Sequence, residues 1–327
     1  MTTKRELTDR WSTRGGGAEL AEEVIARLLA NRSLDGLGLD HHDGLVDLRG
    51  LPAPIPRRLQ RFEAAGWFVE QLGDTVKFNG ATLSGLDLSA AQLQSFRFRH
   101  SSIVGCRFDS ASCRDWRLWD TEVTDCSFAR SDLRGGAVGT WHDGHRNVWR
   151  RISFAGADFR VGVSWSALYE DCDFSAARLD KVKFEQCTFV RCGFSGVLRG
   201  VVFDGREIHD RPAPPPMMDV DFAEARFDQV EFMGVTLGHV TIPHDPDVRL
   251  IANFRCVVER ALALLDGEDS MPARMLRAEF QNRLRMMRTA NEDNIINYRD
   301  YASSGGDELA TFATEVYGRA EAACTDH

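Results

Sequence analysis

The stretch Val76-Lys77-Phe78-Asn79-Gly80-Ala81-Thr82-Leu83-Ser84-Gly85-Leu86-Asp87-Leu88 opens a pattern that returns every five residues. Stepping by five from Phe78 gives Leu83, Leu88, Leu93, Phe98, Ile103, Phe108, Cys113, Leu118, Val123, Phe128, Leu133 and Val138, all apolar or cysteine. Two residues before each of these stands a mostly small side chain, as at Ala81, Ala91, Ser101, Ala111 and Thr121. Neither the helical period of about 3.6 nor the strand period of about 2 generates such a pattern. A fixed period over this length points to a solenoid, in which each unit buries its apolar face by stacking on the next.

The pattern resumes at Phe154, Phe159, Ser164, Tyr169, Phe174, Leu179, Phe184, Phe189 and Phe194, and again from Phe222 to Ile242. Segments such as Phe154-Ala155-Gly156-Ala157-Asp158-Phe159 resemble the A(D/N)LXX consensus of the pentapeptide-repeat family. The resemblance implies a mainly β chain: a right-handed quadrilateral β-helix over 76–243, with an N-terminal helical cap over 1–75 and a C-terminal α-helical domain over 244–327. Trp116 and Phe96, twenty apart in the row of small residues, are expected to widen or bulge one face. Cys106/Cys126 and Cys172/Cys192 share the twenty-residue spacing and read as small buried hydrophobes rather than disulfides or metal ligands. Acids beside the inward row, such as Asp87, Asp132 and Asp158, read as part of the repeat.

Insertions in a solenoid become surface loops, and two interruptions stand out. The first, over 139–150, contains Trp141, His142, Asp143, His145, Arg146 and Trp149, and Val138 to Phe154 spans sixteen residues instead of fifteen. Tryptophan and arginine are favoured at binding hot spots, so Trp141, His142, His145, Arg146 and Trp149 are candidate partner-binding residues. The alternative is a bulge whose tryptophans pack on a neighbouring turn. No further ligand can be placed near His142, Asp143 and His145, so no metal site is expected. The second interruption, over 204–219, carries Pro214-Pro215-Pro216 and reads as a stiff spacer.

Before the repeat, Ala18–Asn31 has the spacing of an amphipathic helix, residues Leu34 to Leu51 suggest a degenerate first turn, and Arg57–Leu72 is expected to be a second helix. After Pro246 helical spacing takes over. Val248, Ile251, Val258, Leu262 and Leu265 lie on one stripe, a second helix follows Ser270, and a third starts at Asp307. The second, over 273–288, carries Arg274, Arg277, Arg283, Arg285 and Arg288. It reads as a solvated face paired with Glu279, or else as a phosphate contact. A homodimer through these C-terminal helices is possible.

The 327 residues carry a net charge of −9, which argues against broad binding to nucleic acid. Between Val76 and Glu207 the charges nearly cancel, 16 Asp/Glu against 18 Lys/Arg. No apolar run is long enough to span a bilayer, no secretion signal is visible, and eight cysteines without a dense pattern suggest reduced thiols in the cytoplasm. There is no P-loop, GxGxxG, GxSxG or HExxH; no cofactor is expected, and an enzyme is not. The resemblance to quinolone-resistance members implies an acidic DNA-like rod that occupies the DNA site of a type II topoisomerase such as gyrase. Here only the stretch with Asp219, Asp221, Asp228 and Glu231 is acidic enough to meet a DNA-binding channel. The alternative function is a protein-interaction scaffold with no DNA mimicry.

Overall fold

A computed structural model of the chain describes residues 3–12, 16–52, 59–64, 67–72, 75–208, 213–287 and 293–325. It divides into two compact units, Met1–Arg178 and Leu179–His327.

In the first unit the five-residue register becomes a coil with four hydrogen-bonded faces. Lys77–Asn79, Arg97–Arg99, Arg117–Trp119, Ala137–Gly139 and Val163–Trp165 pair in parallel on the first face. Thr82–Ser84, Ser102–Val104, Glu122–Thr124, Val148–Arg150 and Leu168–Glu170 form the second. Single bridges link Asp87, Arg107, Ser127, Ser153 and Asp173 on the third face, and Pro52, Gln92, Ser112, Asp132, Asp158 and Arg178 on the fourth. The central residue of each pentapeptide points inward: Phe98, Ile103, Phe108, Cys113, Leu118, Val123 and Phe128 are fully buried. Rings one turn apart stack, with centroids 4.8 Å apart for Phe78 and Phe98 and 4.6 Å for Phe108 and Phe128. That is close to the distance of about 4.8 Å between hydrogen-bonded strands.

Each corner between faces is made by one residue at positive φ, from Gly80, Gly85, Ala90 and Ser95 onward at every fifth position to Gly135. The acids beside the inward row brace these corners. Asp132 accepts the backbone N–H of Arg134 and two of that side chain's guanidinium donors, Nε and Nη2. Asp47 with Arg49 and Asp158 with Arg160 repeat the arrangement, and Asp87 holds the N–H and hydroxyl of Ser89. Such side-chain acceptors two residues before an N–H favour turns over extended chain.

Phe96 and Trp116 do not bulge the first face. Their rings lie parallel at 6.1 Å, the Trp116 indole donates to the Leu93 carbonyl at 2.6 Å, and the flanking strands pair residue by residue. Two large residues one turn apart fill their own layer. Cys106 and Cys126 are free and buried, with the Cys106 N–H 3.3 Å from the Cys126 sulfur. Before the first full turn, Leu45–Asp47 pairs in parallel with Leu86–Asp87, and Leu48 and Leu51 are fully buried. Helices α1 (Lys4–Asp9) and α2 (Gly17–Leu29) precede it. Instead of a helix, Arg57–Leu72 contains two antiparallel strands, Leu59–Ala64 and Trp67–Leu72. The second strand, with Trp67, Phe68 and Val69, is rich in residues that favour β structure over helix.

In the second unit Lys183–Glu185, Val202–Asp204 and Glu231–Met233 pair in parallel, and Phe184, Phe203 and Phe232 stack at 5.5 and 5.0 Å. Lys183 pairs with Val202, one residue short of a twenty-residue turn. The corners show where the residue is lost, since positive φ falls at Lys181, Gln186, Arg191 and Gly196 and then at Gly200. Val248–Ile251 is not helical; it pairs antiparallel with Asn294–Asn297. Asn253 at positive φ turns the chain into α3 (Phe254–Leu264). Ser270 caps α4 (Met271–Met286), accepting the Ala273 N–H. The last helix, α5 (Tyr298–Thr325), starts earlier than Asp307 and is broken at Gly305 and Gly306. Phe254, Val258, Leu276, Phe280, Val316 and Tyr317 share one core. The thiols are not all reduced: Cys256 in α3 is bonded to Cys324 in α5, which ties these two helices together. No helix among the described residues is long and apolar enough to cross a membrane.

Val161 holds φ 61° while 85% exposed, a conformation that burdens a β-branched residue. Val161→Asn should therefore raise the thermal midpoint, with a gain of about 1 kcal/mol. Asp204 is buried; burial opposes its ionisation, but Arg206 and Lys183 outweigh that and hold its carboxyl down to about 2. Because the folded value lies below the unfolded one, the stabilisation is present above about pH 4 and is lost as pH falls toward 2. Asp204→Asn should flatten that acid-side loss in urea melts and cost about 1–3 kcal/mol at neutral pH. Reducing the disulfide that closes 68 residues should lower stability in denaturant by about 2–4 kcal/mol.

Candidate functional site

The first interruption is a two-residue β-hairpin. Trp141–His142 pairs antiparallel with His145–Arg146, and Asp143 and Gly144 between them take φ 50° and 84°. An Asp-Gly pair is favoured there because both positions need positive φ. Its length is legible in the register: Val123 pairs with Trp149, 26 residues on, against 20 for Ile103 to Val123. Six residues have been inserted and the coil then resumes.

The five residues expected to form one loop are therefore separated. Trp149 is fully buried in the inward row, where its indole donates to the Val138 carbonyl at 2.9 Å and its ring faces Phe128 and Phe154. A cue was present, because Trp149 stands five residues before Phe154. Trp141, His142, His145 and Arg146 stay on the hairpin, with Trp141 38% exposed. Asn147, not singled out from sequence, is the residue that lets the insertion leave the coil. It is fully buried, its amide donates to the carbonyls of Leu118 at 2.9 Å and Val138 at 3.3 Å, and its oxygen accepts the Thr121 N–H at 3.0 Å. Gly139 is equally constrained, since a Cβ there would lie 2.4 Å from Ser164 Oγ and 2.7 Å from the Trp165 nitrogen.

Beside the hairpin lies an open groove of about 580 Å³, lined by His100, Asp120, Glu122, Trp141, His145 and Arg146 among others. His100 Nδ1 is 2.7 Å from Asp120, and His145 Nδ1 is 3.8 Å from it. His142 turns to Asp143 at 3.3 Å. No group of three or more His, Cys, Asp or Glu among the described residues is arranged to hold a metal ion.

The near-neutral charge of the coil conceals a segregation. The first and fourth faces, with the corner between them, carry eight Lys/Arg and three Asp/Glu. Lys77, Arg99, Arg114 and Arg178 are among the bases, and Arg99 lies over the Trp119 ring at 5.0 Å. The second and third faces with their shared corner carry seven Asp/Glu and three Lys/Arg.

In the second unit the four nominated acids are not alike. Asp219 bonds His239, Asp228 accepts from Arg199 at 2.7 Å, and the Asp221 carboxylate takes the Ala223 N–H at 2.8 Å. Glu231 lines a cavity. The arginines of α4 are largely engaged within the unit. Arg283 donates to Glu279 at 2.6 Å and lies over the Phe254 ring, while Arg277 donates to the carbonyls of Leu265 and Glu268. Arg288 lies outside the described residues.

No protein-family model matches the sequence, and no curated protein matches it. Among solved structures, a trypsin-treated variant of QnrB1, a plasmid-mediated fluoroquinolone resistance protein, is 18% identical. That match covers 52% of this chain and 76% of that one, with a TM-score of 0.33. HetL, a pentapeptide repeat protein involved in heterocyst differentiation regulation in Nostoc sp. strain PCC 7120, is 14% identical over 68% of this chain and 92% of that one, with a TM-score of 0.27. A thylakoid-lumen pentapeptide repeat protein of Arabidopsis thaliana is 16% identical over 58% and 77%, with a TM-score of 0.16. At these scores the likenesses carry no inference about function. On its own five-residue register, its positive-φ corners and its twenty-residue turns, the chain resembles the pentapeptide-repeat proteins.

Proposed function

We propose that this protein is a non-enzymatic binding scaffold that holds a protein partner on the outward faces of its coil and on the Trp141–Arg146 hairpin, without imitating DNA. The observation that carries this reading is the segregated charge of the first unit. A rod that replaces DNA in a positive channel has to be acidic on every side that meets the channel, whereas here the second and third faces are acidic and the first and fourth, half of the circumference, are basic. The acids that would be the first candidates for chemistry, Asp132 and Asp158, are held by Arg134 and Arg160 as corner braces. That use of carboxylates favours structure over catalysis.

The form we assign is a right-handed, four-sided coil, the hand taken by nearly all parallel crossovers. Residues 1–75 cap it, 76–243 build it and 244–327 close it. Capping is needed because a terminal turn would otherwise expose unpaired backbone groups. In the second unit Asn297 donates to the Phe227 carbonyl at 3.1 Å, Asn294 donates to that of Phe232 at 3.3 Å, and Asp300 accepts the Gln229 N–H at 3.0 Å. α3, α4 and α5 bury their apolar stripes against one another, and the reading needs no dimer.

The test is gyrase supercoiling, with and without a fluoroquinolone, while the purified protein is titrated in. No effect on supercoiling or drug action is expected at a large molar excess. Inhibition or drug protection that is weakened by neutralising Asp219, Asp221, Asp228 and Glu231 together would replace this reading with the topoisomerase one.

A further inference from the structure

The corner between the fourth and first faces of the first unit departs from the chemistry of its neighbours. Among the described residues, the non-glycine positions at positive φ are alanine or polar everywhere except Val161. That conformation strains a β-branched side chain, and Val161 gains no packing in return, since it is 85% exposed. Val163 and Trp165, which follow on the first face, are 52% and 46% exposed. Ser164 between them is buried, its hydroxyl 2.8 Å from that of Tyr169, as the alternation of a strand requires. The outward side chains of this turn therefore make an apolar ridge on the outer edge of the coil. Contiguous exposed apolar groups mark interaction sites, and backbone strain retained at an exposed position points the same way.

The ridge stands in the basic half of the coil. Along the first face Arg97 lies between Lys77 and Arg117, and Arg99 lies beside Trp119. The acids of this half are shared among its bases: Asp115 is 2.7 Å from Arg97 and 2.9 Å from Arg117, and Asp158 is 2.8 Å from Arg160 and 3.5 Å from Arg178. Eight bases against three acids leave a surplus of five positive charges around an apolar edge. An occupant must answer both features. A nucleic acid supplies the anions but offers nothing to the aliphatic Val161 and Val163. A protein would have to bring a pocket shaped to a convex edge, whereas the headgroup and acyl boundary of a bilayer yields around it.

We propose that this ridge docks the first unit on an anionic phospholipid surface. Val161 and Val163 enter the headgroup and acyl boundary, and Trp165 sits at the interface, where tryptophan is enriched. The surplus arginines on either side meet the anionic headgroups. A few apolar groups alone hold a protein to a membrane only marginally, and a basic patch beside them supplies the second signal that makes binding stable. Exposed charges are screened over about 8 Å at physiological ionic strength, so the acidic second and third faces behind the core weaken this attraction without abolishing it. The association is peripheral and calls for no spanning segment. It goes beyond the scaffold reading and does not rest on it.

The experiment is co-sedimentation of the full chain with vesicles of phosphatidylcholine alone and of equimolar phosphatidylcholine and phosphatidylserine. The mixed vesicles should be bound at least about tenfold more tightly, and raised salt should weaken that binding. Val161→Asn relieves the corner, keeps the charge and should leave the fold more stable, yet it should weaken binding to the mixed vesicles about tenfold. Arg99→Glu with Arg114→Glu should reduce binding to the level of phosphatidylcholine alone, while Glu122→Gln on the second face should not reduce it. If the double arginine variant fails to fold by circular dichroism, tryptophan emission decides: the mixed vesicles must shift it to the blue in the unaltered chain, and Trp165→Phe must lose most of that shift. Equal binding to both vesicles, full binding by folded Val161→Asn, or a blue shift undiminished in Trp165→Phe would each overturn the proposal. So would tighter binding to polyglutamate or oligothymidylate than to the mixed vesicles, which would assign the ridge to an acidic protein or to single-stranded nucleic acid.

Discussion

Everything in the coil depends on one backbone reversal per pentapeptide, each needing a residue at positive φ. Twelve consecutive corners from Gly80 to Gly135 obey this, and only four of them are glycine. A non-glycine residue in that region costs about 1–2 kcal/mol, so the corners as a set oppose folding. Two interactions offset them. Inward rings stack turn upon turn, as Phe108 does on Phe128, and the acids beside the inward row supply acceptors that the tight turn leaves wanting. The Asp-x-Arg brace recurs at Asp47, Asp132, Asp158 and Asp204. It joins local turn chemistry to a charge-assisted fork.

The same constraint explains which irregularities the coil admits. A shift of one residue along a strand exchanges inward for outward side chains, so an insertion must leave and re-enter without disturbing the row. The hairpin does this with six extra residues, an Asp-Gly turn at its tip and Asn147 at its base. Asn147 stands in for missing backbone partners, bonding one N–H and two carbonyls. The second unit handles its irregularity at a corner, where a four-residue step between Gly196 and Gly200 keeps Leu198 and Phe203 buried.

What the sequence made legible follows this physics closely. Apolar residues at five-residue spacing announced the coil, the twenty-residue pairing and the buried cysteines, because each property depends on residue type at a fixed period. The inward row past Phe194 was harder to see: a step of four moves Leu198 and Phe203 out of the register that Phe194 would continue. Trp149 groups with the loop when tryptophan and arginine are read as hot-spot residues, whereas its five-residue spacing to Phe154 marks it as core. Val248–Ile251 has apolar spacing compatible with a helix but lies between Pro246 and a left-handed Asn253, and its pairing partner is over forty residues away. The Cys256–Cys324 bond depends on tertiary proximity alone, with no local signature to betray it.

Charge is where summation along the chain misleads most. Residues 76–207 sum to near neutrality, which by itself suggests a bland surface. Folding sorts those charges, because consecutive pentapeptides fall on different faces while residues twenty apart fall on the same one. Arg97 and Arg117 lie side by side on the first face although nineteen residues separate them, and Glu122 and Asp125 begin an acidic edge on the second. Exposed charges are screened over about 8 Å at physiological ionic strength. A partner seated on one face therefore senses that face and little of the one behind the packed core. Two partner surfaces of opposite sign can then be accommodated by a unit whose total is close to zero, and the sign of each face, rather than the net charge, is what selects what binds.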